Sequence, residues 1–280
     1  MKTAVGCDYI VVCVGSDWLQ EGEFLVNLGN VKKKPKGSGG DRSDLRIPEE
    51  DVNLIKALSS LGKKLIVNIM GGSAYVIKDW IDCADSVIMS FYSGLEGGNA
   101  LADILSGDVT PAGKLPFTVA ENAEDYPPFL HLGAKNKDIE YGYYHGYTLF
   151  EKKGIEAHFP FGFGLSYTDF IFSDITCKKD DTKIIITVNV TNNGNYDGDE
   201  VVQVYVGSEN KETDRPVKLL KGFKRVSVAK NKTVKAEVEI DISDIMFYCP
   251  EKNGWILDES YGIYVGTDSK SAEKAATISL

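Results

Sequence analysis

The sequence predicts an α/β unit with a parallel sheet, followed by an all-β sandwich. In the first 132 residues, short β-branched runs alternate with stretches that have helical periodicity. From residue 169 onward the pattern changes to short strands separated by turns. We therefore predict an α/β domain over residues 1–132, a connecting segment over 133–168 and a β-sandwich over 169–280.

Three apolar runs predict the strands of the first domain. Asp8–Gly15 is a continuous β-branched run, typical of a strand buried on both faces. Lys64–Met70 predicts a second buried strand and Ser86–Phe91 a third. Alternation of these strands with helices implies a right-handed, doubly wound parallel sheet. Ligands of such sheets bind at the carboxyl ends of the strands.

The helices of the first domain have recognisable ends. The stretch 47–51 places Pro48 and three acidic residues in a first helical turn, and Gly62 marks the end of that helix. Trp80 is expected on a short helix after the second strand, and Asn99–Leu105 on another that Gly107 closes. These helices supply the crossovers that a parallel sheet requires.

A long connection interrupts this alternation between residues 20 and 44. Part of it, residues 32–40, is rich in lysine and glycine. Connections of this length inside a domain are functional or mobile. For the lysine run itself, a solvated insertion is an equally good interpretation.

The last third of the chain predicts seven strands. Representative strands cover Lys183–Asn192, Glu200–Val206 and Thr233–Ile240. No exposed aromatic platform stands out in this part of the sequence, and Trp255 and Tyr261 fit a buried core equally well.

The decapeptide 159–168, Phe-Pro-Phe-Gly-Phe-Gly-Leu-Ser-Tyr-Thr, connects the two patterns. Pro160 restricts one backbone angle, and Gly162 and Gly164 permit torsions that larger residues resist. Its three phenylalanines carry more apolar surface than a mobile linker. The sequence therefore predicts a rigid, packed joint between the two domains.

Composition excludes several classes of partner. The net charge of −10 argues against nucleic acid and anionic membranes, and no apolar run approaches the roughly 18–20 residues of a membrane span. The first residues lack the pattern of a signal peptide. The five cysteines are scattered and show no CxxC spacing, and the three histidines show no metal-binding spacing. We expect a cytoplasmic protein without a disulfide framework, metal or other cofactor.

Charged loop residues are the candidates for chemistry. Glu21 and Glu23 follow the first predicted strand, where paired carboxylates suit proton transfer. Asp41 and Arg42 can hold a loop through a charge-assisted hydrogen bond, and a structural ion pair is the simpler interpretation. The glycine-rich turn at residues 93–99 lacks the residues of a nucleotide-binding loop.

Taken in order, a set of motifs resembles glycoside hydrolase family 3, in its β-glucosidase branch. The motifs are Gly40-Asp41-Arg42-x-x-Leu45, Gly94-x-Glu96-Gly97-Gly98-Asn99-Ala100, Gly107-Asp108-Val109-x-Pro111-x-Gly113-Lys114-Leu115-Pro116, the 142–151 segment and the decapeptide 159–168. The last third is similar to the fibronectin type III-like domain that ends many of these enzymes. Its matching residues are Val190-Thr191-Asn192-x-Gly194, 200–206, Arg215-Pro216-x-Lys218-x-Leu220-Lys221-Gly222-Phe223 and Gly266.

The resemblance implies a retaining β-glucosidase, which needs a nucleophile and an acid/base carboxyl about 5–5.5 Å apart. In the family, the nucleophile is an Asp on an N-terminal (β/α)₈ barrel, and the acid/base Glu lies on a loop of the α/β sandwich domain. Glu21 is the closest match to that Glu and Glu23 the near alternative, with Asp41 and Arg42 bracing the loop. Asp17, in Ser16-Asp17-Trp18, imitates the family's nucleophile motif in the wrong context and is read as a coincidence.

The resemblance therefore implies that this chain is the C-terminal part of an enzyme and holds only part of the doubly wound α/β sandwich domain. Without the barrel, this part is expected to be inactive. Its expected partners are a β-linked oligosaccharide or glucoside and the N-terminal barrel, in the same polypeptide or in trans. A β-xylosidase or another exo-glycosidase of the family is an alternative. A further alternative is a non-catalytic module for carbohydrate binding or assembly.

Overall fold

A computed structural model describes residues 4–16, 45–127 and 142–280. The described residues cluster into two compact units. The α/β unit holds 4–16, 45–102, 119–127, 142–143 and 156–158, and the sandwich unit holds 103–118, 144–155 and 159–280. The domain boundaries after residues 132 and 168 stay predictions.

The α/β unit is built on three parallel strands in the order β1 (Tyr9–Gly15), β2 (Lys64–Met70) and β3 (Ser86–Met89). This confirms the predicted parallel sheet. Helix α1 (Glu49–Ser59) lies between β1 and β2 in the chain. After β2 comes a 3₁₀ turn, Ile81–Cys83, so Trp80 precedes that turn instead of lying on it.

Strand β1 has one buried face and one open face. Alternate residues of β1 are buried on the face that α1 covers, and their neighbours Tyr9, Val11 and Cys13 are exposed. The expectation that β1 is buried on both faces is therefore wrong for the chain as described. A β-branched run indicates a strand, but it does not reveal whether a second layer covers it.

Smaller elements complete the first part of the chain. They are 3₁₀ turns at Ala4–Gly6 and Ala123–Asp125, helix α2 (Gly97–Ser106) and the short strands β4 (Val119–Ala120) and β5 (Ala157–Phe159), which form a two-stranded sheet. Helix α2 begins two residues before the predicted helix and ends directly before Gly107.

The sandwich unit contains a three-stranded sheet in the order β10-β7-β6 and a four-stranded sheet in the order β14-β13-β8-β9. The strands are β6 (Phe170–Asp180), β7 (Lys183–Asn192), β8 (Gly198–Ser208), β9 (Leu219–Val228), β10 (Thr233–Asp241), β13 (Ser260–Gly266) and β14 (Glu273–Ser279). A 3₁₀ turn (Ile242–Ile245) and a hairpin of β11 (Phe247–Cys249) and β12 (Gly254–Ile256) separate β10 from β13, and helix α3 (Gly146–Lys153) precedes the sheets. The predicted all-β sandwich is confirmed.

Valine and isoleucine side chains from both sheets form the core of the sandwich. Strand β7 shows the cause most clearly, because every second residue from Ile184 to Asn192 is buried. Tyr261 belongs to this core, but Trp255 is 66% exposed. The core interpretation is therefore confirmed for Tyr261 and wrong for Trp255.

The decapeptide 159–168 packs within the sandwich unit. Gly162 donates its N–H to the carbonyl of Leu115 (2.8 Å), and the side-chain amide of Gln203 donates to the carbonyl of Gly162 (3.0 Å). The rings of Phe161 and Tyr147 lie 5.0 Å apart. The predicted packing of this turn is confirmed, and its role as a joint between domains stays a prediction.

Candidate active site

Strands β1, β2 and β3 end at the same edge of the sheet, where ligands of parallel sheets bind. Directly after β1, Ser16 donates its N–H to the carbonyl of Met70 at the end of β2 (3.0 Å). Gly15 has φ +132°, and a Cβ at this position would lie 1.9 Å from the oxygen of Met70. Only glycine allows the two strand ends to approach this closely.

A pair of hydroxyl groups holds the chain where it leaves β1. The hydroxyl of Ser16 lies 2.7 Å from that of Tyr75, which is buried. The ring of Tyr75 lies so close to Gly71 that a Cβ there would be 1.9 Å from its hydroxyl oxygen. The absence of a side chain at Gly71, directly after β2, therefore leaves room for the Tyr75 ring in this position.

Residues 45 and 46, on the other side of segment 17–44, are also bound to the segment that follows β2. Val76 donates its N–H to the carbonyl of Leu45 (2.8 Å), and Arg46 forms a parallel bridge with Val76. The Nε atom of Arg46 lies 3.2 Å from a carboxylate oxygen of Asp79. The two flanks of segment 17–44 are thus attached to adjacent residues, Tyr75 and Val76, beyond the carboxyl end of β2.

The residues predicted for catalysis all fall within this segment. Glu21, Glu23, Asp41 and Arg42 lie outside the described residues, as does Asp17. The structure describes the positions at which the segment starts and ends, and the roles of these five residues stay predictions.

The glycine-rich turn at residues 93–99 leads into α2. The Nδ2 atom of Asn99 donates to the carboxylate of Glu96 (2.6 Å), and Ala100 donates its N–H to the carbonyl of Glu96 (2.9 Å). An anion at this helix end would meet the carboxylate of Glu96. The arrangement gives no support to nucleotide binding here.

A polar cluster that the sequence reasoning missed lies elsewhere in the α/β unit. Glu121 contacts the Nδ1 atom of His158 (2.8 Å) and the Nζ atom of Lys78 (3.3 Å). The hydrogen bond with His158, together with that of Lys78, lowers the pKa of Glu121. Among the described residues, no group of three or more His, Cys, Asp or Glu side chains is arranged to hold a metal ion.

The sequence reasoning also missed Tyr75. The available signal was the pair Gly71-Gly72 directly after β2, because glycines at the carboxyl end of a parallel strand permit close approach.

None of the helices in the described ranges is both long and apolar enough to cross a membrane.

Comparisons with known proteins agree with this architecture. Residues 1–167 match the glycosyl hydrolase family 3 C-terminal domain, and residues 200–269 match a fibronectin type III-like domain. The chain is 33% identical over 268 residues to beta-glucosidase BoGH3A of Bacteroides ovatus, an alignment that covers 91% of this chain and 36% of that protein. It is 31% identical over 280 residues to a xylan 1,4-beta-xylosidase of Xylanibacter ruminicola, covering 98% of this chain and 30% of the relative.

A solved structure shows the same fold. The beta-D-glucoside glucohydrolase of Trichoderma reesei superimposes with a TM-score of 0.88 at 25% identity, covering 99% of this chain and 41% of that one. The chain thus spans 30% to 41% of the length of these three proteins.

Fold and matches together define the C-terminal module of a glycoside hydrolase, with an α/β domain followed by a fibronectin type III-like sandwich. The chain belongs to glycoside hydrolase family 3, and its relatives include β-glucosidases and a β-xylosidase.

Proposed function

We propose that this chain is the C-terminal part of a retaining exo-β-glycosidase that releases terminal β-D-glucosyl residues. The observation that carries the proposal is the alignment of 91% of the chain with 36% of a β-glucosidase. The attachment of both flanks of segment 17–44 at the ligand edge of the sheet supports a role for that segment near substrate.

In the proposed reaction, the acid/base residue is Glu21 or Glu23. Its carboxyl group protonates the glycosidic oxygen as the leaving group departs, while the nucleophile carboxylate bonds to the anomeric carbon. The resulting carboxylate then takes a proton from water, which attacks the anomeric carbon and releases the sugar with retained configuration. Asp41 and Arg42 would hold the loop in place through their ion pair.

The nucleophile is proposed to come from the N-terminal barrel of the full-length enzyme, in the same polypeptide or in trans. The open face of β1 supports a larger assembly, because exposed Tyr9 and Val11 are apolar side chains that a second layer would bury. Hydrolysis of p-nitrophenyl β-glucoside tests this. We expect no turnover by the isolated chain and turnover when it is fused behind the N-terminal part of BoGH3A. Turnover by the isolated chain would refute the need for a second portion.

The reactivity of the Cys13 thiol is a separate test of whether the open face of β1 becomes covered. Its thiol is exposed on β1, whereas burial raises the pKa of Cys177 in the sandwich to about 11, which keeps that thiol protonated and slow to react. In the isolated chain, iodoacetamide should modify Cys13 much faster than Cys177. In the fusion, modification of Cys13 should slow at least tenfold while that of Cys177 stays unchanged. Equal rates for Cys13 in both proteins would show that the face stays open.

The similarity to a xylan 1,4-beta-xylosidase makes β-xylosides the second candidate substrate. We expect the fusion to favour p-nitrophenyl β-glucoside over the β-xyloside in kcat/KM. Because the N-terminal part selects the sugar in this proposal, fusion to the corresponding part of the xylosidase should reverse the preference.

A cytoplasmic location is also proposed. None of the five cysteines, all of which lie in the described ranges, forms a disulfide, and Cys7 and Cys13 are exposed, which suits a reducing compartment. Fractionation of cells that express the native gene checks this, and recovery of the protein outside the cytoplasm would contradict it.

A further inference from the structure

The hairpin of β11 and β12 presents two aromatic side chains to solvent. Tyr248 and Trp255 lie directly opposite each other in the antiparallel register and are 49% and 66% exposed. Their ring centroids are 6.0 Å apart at an interplanar angle of 74°. Apolar ring surface that is exposed to water is unfavourable, so a partly exposed cross-strand pair of rings suggests a ligand.

The hairpin holds these rings in a defined orientation. The Tyr248 hydroxyl donates to the Oδ1 atom of Asn253 in the turn (2.7 Å), which restricts rotation of the tyrosine ring. Asn253 has φ +47°, a left-handed conformation that the turn requires. Part of the orientational entropy of binding is therefore lost before a ligand arrives.

The neighbouring residue attaches the hairpin to the rest of the sandwich unit. The guanidinium carbon of Arg215 lies 3.5 Å from the centroid of the Phe247 ring, a cation–π contact. Arg215 is itself fixed by an ion pair with Asp258 and a hydrogen bond to Ser208 (3.0 Å). In strand β11, Phe247 is thus held against the rest of the sandwich unit, and the next residue, Tyr248, is exposed to solvent.

We propose that Tyr248 and Trp255 bind a β-linked glucan chain by stacking against its sugar rings. The equatorial hydroxyls of β-glucosyl units leave the C–H groups on the two ring faces, so each face is apolar and its rim is polar. With their planes 74° apart the two rings form no single flat platform, so each contacts a different sugar unit of the chain, while the side chains of the turn, Glu251, Lys252 and Asn253, offer charged and amide partners to the hydroxyls. This site binds substrate and performs no chemistry, so it goes beyond the proposed catalytic function.

The size of the surface argues for a saccharide over a second copy of the chain. An aromatic side chain buries about 150–250 Å², so two of them contribute less than about 500 Å². A stable protein interface needs about 800 Å² from each partner. The adjoining turn carries the charged residues Glu251 and Lys252, and residues of these types are depleted at the centre of protein interfaces.

Binding of cellohexaose to the 280-residue chain tests the proposal by isothermal titration calorimetry and tryptophan fluorescence. We expect saturable binding in the millimolar range or tighter and a change in the emission of Trp255. Trp255→Ala should weaken binding at least tenfold and Tyr248→Ala at least threefold, whereas Trp255→Phe should restore part of the affinity. Phe223→Ala is the matched control, because Phe223 is also an exposed aromatic residue of the sandwich and has no place in the hairpin.

Three outcomes would overturn the proposal. They are the absence of saturable binding by the unchanged chain, unchanged affinity of Trp255→Ala, and a shift from dimer to monomer in sedimentation of Trp255→Ala. Thermal unfolding of each variant shows that lost binding is not lost folding. Because no turnover is measured, the result does not depend on which of Glu21 and Glu23 is the acid/base residue, and it is distinguishable from a failure of the proposed catalytic function, which is measured as turnover.

Discussion

The hydroxyl of Ser16 lies 2.7 Å from the hydroxyl of Tyr75, and the next residue, Val76, donates its N–H to the carbonyl of Leu45 (2.8 Å). Ser16 and Leu45 are the described residues on either side of segment 17–44. A segment that contains both acid/base candidates is thus fastened at its two ends to one dipeptide. In the proposed function, catalysis depends on placing the acid within hydrogen-bond reach of the leaving oxygen, so we expect these attachments to affect the rate.

Tyr75→Phe should slow the BoGH3A fusion without unfolding it. The substitution removes the hydroxyl that contacts Ser16, at a cost of about 0.5–1.5 kcal/mol in the free energy of unfolding. We expect kcat to fall about threefold to tenfold with KM nearly unchanged, because Tyr75 positions the segment and does not touch substrate. The control is Tyr196→Phe, which removes an exposed hydroxyl from the sandwich unit. Equal effects of the two substitutions would contradict a positioning role.

Gly162→Ala should destabilise the sandwich unit. Gly162 has φ +84°, and a Cβ there would lie 2.2 Å from the Oε1 atom of Gln203, which is buried and hydrogen-bonded. We expect the free energy of unfolding to fall by about 1–3 kcal/mol, measured by urea denaturation. A Cβ at Gly113 meets no atom within 4 Å, so Gly113→Ala serves as the control and should change stability much less.

The ion pair of Lys114 and Glu200 should respond strongly to loss of one partner. Their side chains are 2.8 Å apart, and only 13% and 7% of each is exposed. Lys114→Met leaves the carboxylate of Glu200 buried without its cation, and we expect a loss of about 3–5 kcal/mol. The double variant Lys114→Met with Glu200→Met should be more stable than the single one. A double variant that is less stable would show that the pair is not the cause.

Asp258 should contribute to the loss of stability at low pH. Burial raises the pKa of this carboxyl group, but hydrogen bonds from Ser208 and Arg215 outweigh burial and hold the pKa below its ordinary 3.8. A lowered pKa contributes stability above pH 3.8 that is lost as the pH falls through the folded value. The urea midpoints of the unchanged chain and Asp258→Asn should therefore differ by a constant amount from pH 7 to 5 and converge below pH 4. A gap that stays constant below pH 4 would contradict this assignment.

The parallel and antiparallel strands were predictable because the spacing of hydrophobic residues along the chain reflects which side chains are buried. The alternation in β7 and the continuous run of β2 both predicted the strands that the structure contains. The open face of β1 was not predictable, since Val11 has the same sequence character whether or not a second layer covers it. Trp255 illustrates the same limit, because an aromatic residue in a strand fits a core and a binding surface equally well.

The candidate site was predictable only in part. Strand order locates the ligand edge, and the motif around Asp41 and Arg42 indicates the family. The contact between Ser16 and Tyr75 depends on tertiary packing of two loops that are 59 residues apart, for which the sequence has no periodic signal. The choice between Glu21 and Glu23 depends on distances to a substrate and a nucleophile, and spacing along the chain does not encode these.

The central claim is that this chain supplies the acid/base carboxyl of a retaining glycosidase. The direct measurement compares Glu21→Gln and Glu23→Gln in the BoGH3A fusion, with and without sodium azide. For the acid/base residue, kcat on p-nitrophenyl β-glucoside should fall at least a hundredfold, and azide should restore it by forming β-glucosyl azide, since this anion attacks the glycosyl-enzyme without base assistance. The other Gln variant should keep nearly full activity and form no azide product. Full activity in both variants, or losses that azide does not restore, would contradict the account.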